Sequence, residues 1–234
     1  MQQERIAVTS AADSIGTAGQ MRLATALAMT AGCVDAYAFI RYQTYVSFMS
    51  GNTTQSGSAL GAANWAWAAP ALIAIASFLV GVIGGTLLST ANRWCSRRAR
   101  CALVAALLAL LLAITHVGVL SSGAYIATLS FAMGTMNTCL SQIGSETVSL
   151  TFVTGALNRI GTHAALALRG APLSSPEYAG DSHLRRAWRL SVLWLGFLLG
   201  AVAAGATTPR YGEWVLLAPL GVLVALAVVD RQHA

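Results

Sequence analysis

Charge is scarce in this chain, and lysine is missing altogether. Of 234 residues only 9% are charged, and all fourteen basic residues are arginine. A soluble domain carries about a quarter charged residues, so an ordinary water-soluble fold is excluded. The arginines stand at the ends of apolar runs, where they set topology, and no basic cluster with interleaved aromatics occurs. A nucleic-acid partner is therefore not expected, although the net charge is +6. Cysteine is sparse too. Cys33, Cys95, Cys101 and Cys139 match no zinc ribbon or redox pair. There is no paired Ser and His motif and no H-x-x-x-H, so neither catalysis, a metal nor a cofactor is expected. The first twenty residues lack an apolar h-region and hold Glu4 and Asp13. They are expected to form a short cytoplasmic tail rather than a cleaved signal peptide.

What the chain has in abundance is apolar length, with 56% of residues hydrophobic. Residues 101–120 hold no charge and one histidine, His116. That run suffices to cross a hydrocarbon core as a helix of about 20 residues. Six such spans are expected, at residues 23–40, 65–88, 101–120, 123–140, 188–206 and 214–229. Trp65, Trp67, Trp188 and Trp214 mark their ends, at the level that amphipathic rings favour.

Two segments, 42–62 and 146–168, are apolar but interrupted by Gly, Asn, Thr and Ser. Each opens on an alternating, strand-like run, Tyr45 to Phe48 and Val148 to Val153. Each run then meets a small pair, Ser50-Gly51 or Thr154-Gly155, before a short helix-like stretch. If both segments crossed fully, six arginines would lie on one side and eight on the other. If both enter and leave on the same side, only Arg41 and Arg210 are outside and twelve are inside. The second split is what the positive-inside rule expects. The segments are thus expected to be re-entrant, with both termini cytoplasmic.

The order span, interrupted segment, span, span then occurs twice. Gly32-Cys33-Val34-Asp35 answers Gly134-Thr135-Met136-Asn137, Gly51 answers Gly155, and Gly57 answers Gly161. Gly81 and Gly85 are matched with Gly196 and Gly200, small-xxx-small pairs that either pack the halves on each other or join two copies as a homodimer. Three spans per half force opposite orientations. The expected fold is an all-α membrane protein of six transmembrane helices and two re-entrant strand/short-helix segments in a 3+3 inverted repeat. Residues 1–21 form a tail, 22–120 the first repeat and 121–230 the second, with 169–187 a cytoplasmic loop.

These motifs support a resemblance. Gly32-Cys33-Val34-Asp35-Ala36, Met49-Ser50-Gly51-Asn52, Gly134-Thr135-Met136-Asn137 and Thr154-Gly155-Ala156-Leu157-Asn158-Arg159-Ile160-Gly161 together resemble the YoaK family of bacterial inner-membrane proteins, a domain of unknown function. Ser50 stands where threonine is expected and keeps the hydroxyl. The resemblance covers roughly residues 23–229 and implies a six-span protein of the bacterial inner membrane, with no substrate attached.

Candidate site residues follow from chemistry. Asp35 is a carboxylate inside a span, which is costly and by default marks an ion or proton site; the plainer alternative ties it to Asn137, Asn52 or Arg159. Arg159, one turn into the second short helix, is suited to an anionic solute, to pairing with Asp35 or Glu146, or to snorkelling towards the cytoplasm. Gly51 and Gly155 open the short helices, whose N-termini can receive an anion; the alternative is that they only let the chain turn. Asn52 and Thr53 give the first short helix a polar face that needs protein or water against it. Asn137 answers Asp35. The resulting expectation is a small secondary transporter for an unidentified solute or ion, with a midplane site between the short helices. A passive pore and a non-transporting partner or assembly subunit are the alternatives.

Overall fold

In a computed structural model the residues described are 17–90, 97–115, 121–139, 142–143, 146–147, 153–173 and 181–229. Helix α1 (Thr17–Tyr42) leads through an irregular turn to a short helix, α2 (Met49–Gly61), and then to α3 (Trp65–Thr90) and α4 (Arg97–Thr115). Helix α5 (Ser122–Asn137) follows. It leads past two two-residue strands, β1 (Gln142–Ile143) and β2 (Glu146–Thr147), paired antiparallel. The second short helix, α6 (Val153–Leu168), precedes α7 (His183–Tyr211), a 3-10 turn (Gly212–Leu216) and α8 (Leu217–Val229).

Among the described residues each of the six expected apolar stretches overlaps a helix, and both short helices are present. Three stretches among the described residues, Gly19–Tyr42, Trp65–Ser89 and His183–Val228, are long and apolar enough to cross a membrane. Several boundaries differ from expectation. Helix α1 starts at Thr17, inside the expected 1–21 tail, because its first polar turn carries no apolar signal. Helix α7 starts at His183, inside the expected 169–187 loop, where Ser182 caps it by accepting the Arg185 N–H. It also runs on past Ala206 through Pro209, whose missing N–H removes one backbone bond two residues before the helix ends at Tyr211.

The buried centre lies among α1, α4, α5 and α8. Leu27 and Val34 meet Val104, Leu108, Leu129, Met133, Met136 and Leu223 there. Helices α3 and α7 flank this centre and turn Leu79, Val80, Ile83 and Leu87, or Leu198, Leu199 and Val202, outward. A bare apolar exterior around a packed interior suits a hydrocarbon solvent.

Glycine decides the tightest crossings. Helix α1 packs chiefly on α7, and α3 on α5. A methyl on Gly32 would overlap the carbonyl oxygen of Phe197, and one on Gly200 that of Met29. At the other crossing, Gly134 meets the Phe78 carbonyl and Gly81 the Phe131 carbonyl. Thr135 adds a hydrogen bond across it, donating to the Gly81 carbonyl at 3.2 Å. The register differs from that expected: Gly81 and Gly200 make equivalent contacts, whereas Gly196 meets Thr25. These glycines pack one helix on another within the chain.

Candidate functional site

The first interrupted segment is not a strand. Residues Tyr45, Val46 and Ser47 lie in the bent, irregular turn after α1, and their backbone groups are met by side chains. Asp35 is buried, and its Oδ1 accepts the N–H of Val46 and of Ser47, both at 2.8 Å. Asn52 is wholly buried. Its Nδ2 donates to the Tyr45 carbonyl at 2.7 Å, and its Oδ1 accepts the Tyr45 N–H at 3.2 Å. Leaving such buried groups unpaired would cost about 1–3 kcal/mol each. A carboxylate and a primary amide, one turn-width apart in role, thus replace the strand partner that the alternating sequence suggested. Most of the second strand-like run, 148–153, lies outside the described residues.

Aromatic rings close the same turn. Phe39 stacks on Tyr45 with ring centres 4.6 Å apart, and Tyr45 meets Phe48 edge-on at 5.2 Å. Gly51 belongs to this packing: a Cβ there would lie 2.5 Å from two carbons of the Phe48 ring. The first short helix therefore begins beneath a phenyl ring, and its opening glycine is a packing position.

Thr53 is exposed, and its hydroxyl donates to the Met49 carbonyl one turn back at 2.8 Å. Asn137, the last residue of α5, Gly155, the third of α6, and Arg159 are each half-buried. Among the described residues, Asp35 and Asn52 meet on residues 45–47, and the groups bonded to Asp35 are amides rather than the Arg159 guanidinium. Arg159 sits on α6, which packs on α7, whereas α2 packs on α3.

What the short helices share is an outward face. On α2, Ser50, Thr53, Thr54, Gly57, Ser58 and Gly61 are exposed. On α6, Thr154, Leu157, Asn158, Gly161, Thr162 and Ala165 are exposed, each 104 residues after its counterpart. Nothing lies within 4 Å of a Cβ at Gly57 or Gly161. The spacing of three and four residues puts each set on one helix face. An open cleft of about 470 Å³ lies near the end of α1, lined by Arg41, Tyr42, Pro70, Ser122 and Ile126.

The membrane character and these motifs agree with what is found among known proteins. Residues 23–229 match the family described as a protein of unknown function, DUF1275. The chain belongs to this family. It is also 29% identical over 223 residues to a UPF0700 transmembrane protein of Rhizobium meliloti (strain 1021), an alignment covering 94% of this chain and 88% of that one. No solved structure matches. The chain is thus a membrane protein of a family without an assigned activity.

Sequence reasoning placed Asp35 and Asn52 at the centre of interest. It missed that Asp35 bonds the backbone of Val46 and Ser47. It also missed His183, whose Nδ1 lies 2.8 Å from Nδ1 of His163. The usable signal was Asp181-Ser182 ahead of an arginine-rich, then apolar, run, a helix start.

Proposed function

We propose that this DUF1275 member, YoaK-like by its motifs, is a small secondary transporter of the bacterial inner membrane whose solute path follows the polar faces of α2 and α6. The observation that carries the reading is the matched pair of exposed faces. Thr53, Thr54 and Thr162 donate to carbonyls of their own helices. The hydroxyl oxygens, the Asn158 amide and the bare glycines still make each face more polar than one turned to lipid, which suits water, solute or protein against it. The 104-residue correspondence makes a chance exposure on one helix a poor explanation. Hydroxyl and amide groups without charge suit a small polar solute, bound through hydrogen bonds.

The architecture we infer is six spans in two inverted halves with both termini cytoplasmic. Support comes from reciprocal packing. The first span of each half crosses the second span of the other half, through Gly32 on Phe197 and Gly134 on Phe78. Each short helix packs on the span that follows it, and the third spans, α4 and α8, pack on each other. Exchanging the halves leaves this set of neighbours unchanged, which is the plan of many transporters. In this scheme Asp35 holds the re-entrant turn together rather than binding the solute.

The test is a thermal-shift screen of small polar solutes on purified protein, followed by flux in proteoliposomes. A binder stabilises the native state. Flux should fall at least tenfold in Gly57→Leu and Gly161→Leu, which fill the two faces without touching a packed neighbour. Unaltered flux in both variants, or no binder and no flux in a broad screen, would reject the reading. A passive pore predicts flux that no gradient drives uphill.

A further inference from the structure

We propose that His163 and His183 form a proton-binding site that latches the second short helix, α6, to α7, and that the proton is the ion coupled to movement of α6. The coupling half of this statement rests on the transporter reading; the proton site does not. The geometry is a direct Nδ1 to Nδ1 contact of 2.8 Å, with ring centres 5.1 Å apart and planes tilted by 37°. His163 lies in the third turn of α6, and His183 is the first residue of α7. Both rings are half-buried, yet Nε2 of His183 is buried with no hydrogen-bond partner.

A contact between two ring nitrogens fixes the proton count. With both rings neutral, one Nδ1–H donates to the lone pair of the other Nδ1. One added proton makes the donor an imidazolium, and the bond becomes charge-assisted and stronger. A second added proton leaves two N–H groups facing each other on two cations. The bond is then lost and the rings repel. The first proton tightens α6 on α7 and the second releases it. Histidine is the side chain suited to doing this near neutral pH.

The surroundings favour release over capture of a second charge. Asp181, whose side chain is fully buried, is engaged by Arg186 at 2.8 Å and 3.1 Å, so its charge is already offset. Arg185 and Arg189 on α7, Arg210 at the far end of α7, and Arg159 one turn before His163 on α6 are the other charged groups of the two latched elements. Helix α1, also packed on α7, carries Arg22 towards this end, while its Asp35 and Arg41, and Glu213 of the 3-10 turn, lie towards the opposite end. Ser182 and the Asp181–Arg186 pair fix the start of α7, so α6 is the element free to respond. Because α6 carries one of the two polar faces, its release changes the proposed path directly.

Two nitroxide labels would read the latch in full-length protein in nanodiscs, on Leu168→Cys and Leu184→Cys with Cys95→Ser. Both leucines are strongly exposed, and Cys33, Cys101 and Cys139 are buried. The label distance should lengthen reversibly as pH falls from about 8 to about 5. That shift should be lost in His163→Gln and in His183→Gln, each of which removes the second cation. A wild-type distance that stays constant over this range overturns the proposal, and so does an equal shift in both variants. If one variant fails to fold, the other and the wild type decide. A pH-driven shift without solute flux would keep the proton site and remove the transporter reading; flux without the shift would do the reverse.

Discussion

Substituting alanine at Gly32, Gly81, Gly134 or Gly200 sets one methyl group against a backbone carbonyl on the facing helix. No rotamer can relieve that overlap, because the obstructing atom is main chain, so the two helices must separate. A gap of 0.5–1 Å forfeits a quarter to a half of each atom–atom attraction of roughly 0.1–0.2 kcal/mol. Over about forty such contacts in one crossing, the loss is about 2 kcal/mol, within the usual range of about 1–3 kcal/mol for overpacking. Alanine's better helix propensity returns up to about 1 kcal/mol. The net expectation is a loss of about 1–2 kcal/mol per site, or a fall of roughly 2–8 °C in melting temperature for a chain of this size. Gly205→Ala and Gly221→Ala, which meet nothing, should be neutral or stabilising. Gly32→Ala and Gly200→Ala open the same crossing and should be sub-additive when combined, whereas Gly32→Ala and Gly134→Ala should add. Melting of the detergent-solubilised protein, followed by loss of its monodisperse elution peak, would measure all of these. Equal losses at Gly205 and Gly32 would refute the crossings as described.

Other outcomes follow from single contacts. Asp35→Ala should cost about 2–5 kcal/mol by orphaning the N–H groups of Val46 and Ser47, and Asp35→Asn, which keeps an acceptor, clearly less; comparable melting of the two would contradict the clamp. Ala63 sits at φ 52°, a left-handed conformation, so Ala63→Gly should raise stability by about 1 kcal/mol, and a loss there would be inconsistent with that backbone. The sulfurs of Cys101 and Cys139 are 3.8 Å apart. A membrane-permeant thiol oxidant should therefore join α4 to the end of α5, seen as a loss of two hydrogens in the peptide pair, and Cys33 should stay reduced.

The apolar helices were legible because apolar length is a direct consequence of the solvent, and the two short helices because Gly, Asn and Thr interrupt that length twice in the same order. The role of Asp35 was not legible. A buried carboxylate reads alike in sequence whether it holds a proton or two amides, and the distance from Asp35 to residues 46 and 47 is set by the turn between them. The alternation of Tyr45 to Phe48 suggested a strand because aromatic stacking of Phe39, Tyr45 and Phe48 leaves the same pattern. Of the remaining candidates, Arg159 and Thr53 were placed on the right helices, but their neighbours depend on α6 and α2 packing against different spans. His183 was hidden by a misplaced helix start, and no spacing rule connects it to His163 twenty residues away.

The crossing of α1 with α7 also has a consequence for biosynthesis. The facing surface for Gly32 is Phe197, which leaves the ribosome long after the first span has entered the membrane. At about 5–20 residues per second, the interval is on the order of 10–30 s. During it the first span holds a glycine notch and a neighbouring carboxylate with no final helix beside it. A chain stalled or truncated before α7 therefore presents an unfilled seam to membrane proteases, and co-expressed fragments divided between α4 and α5 should each persist only in the presence of the other.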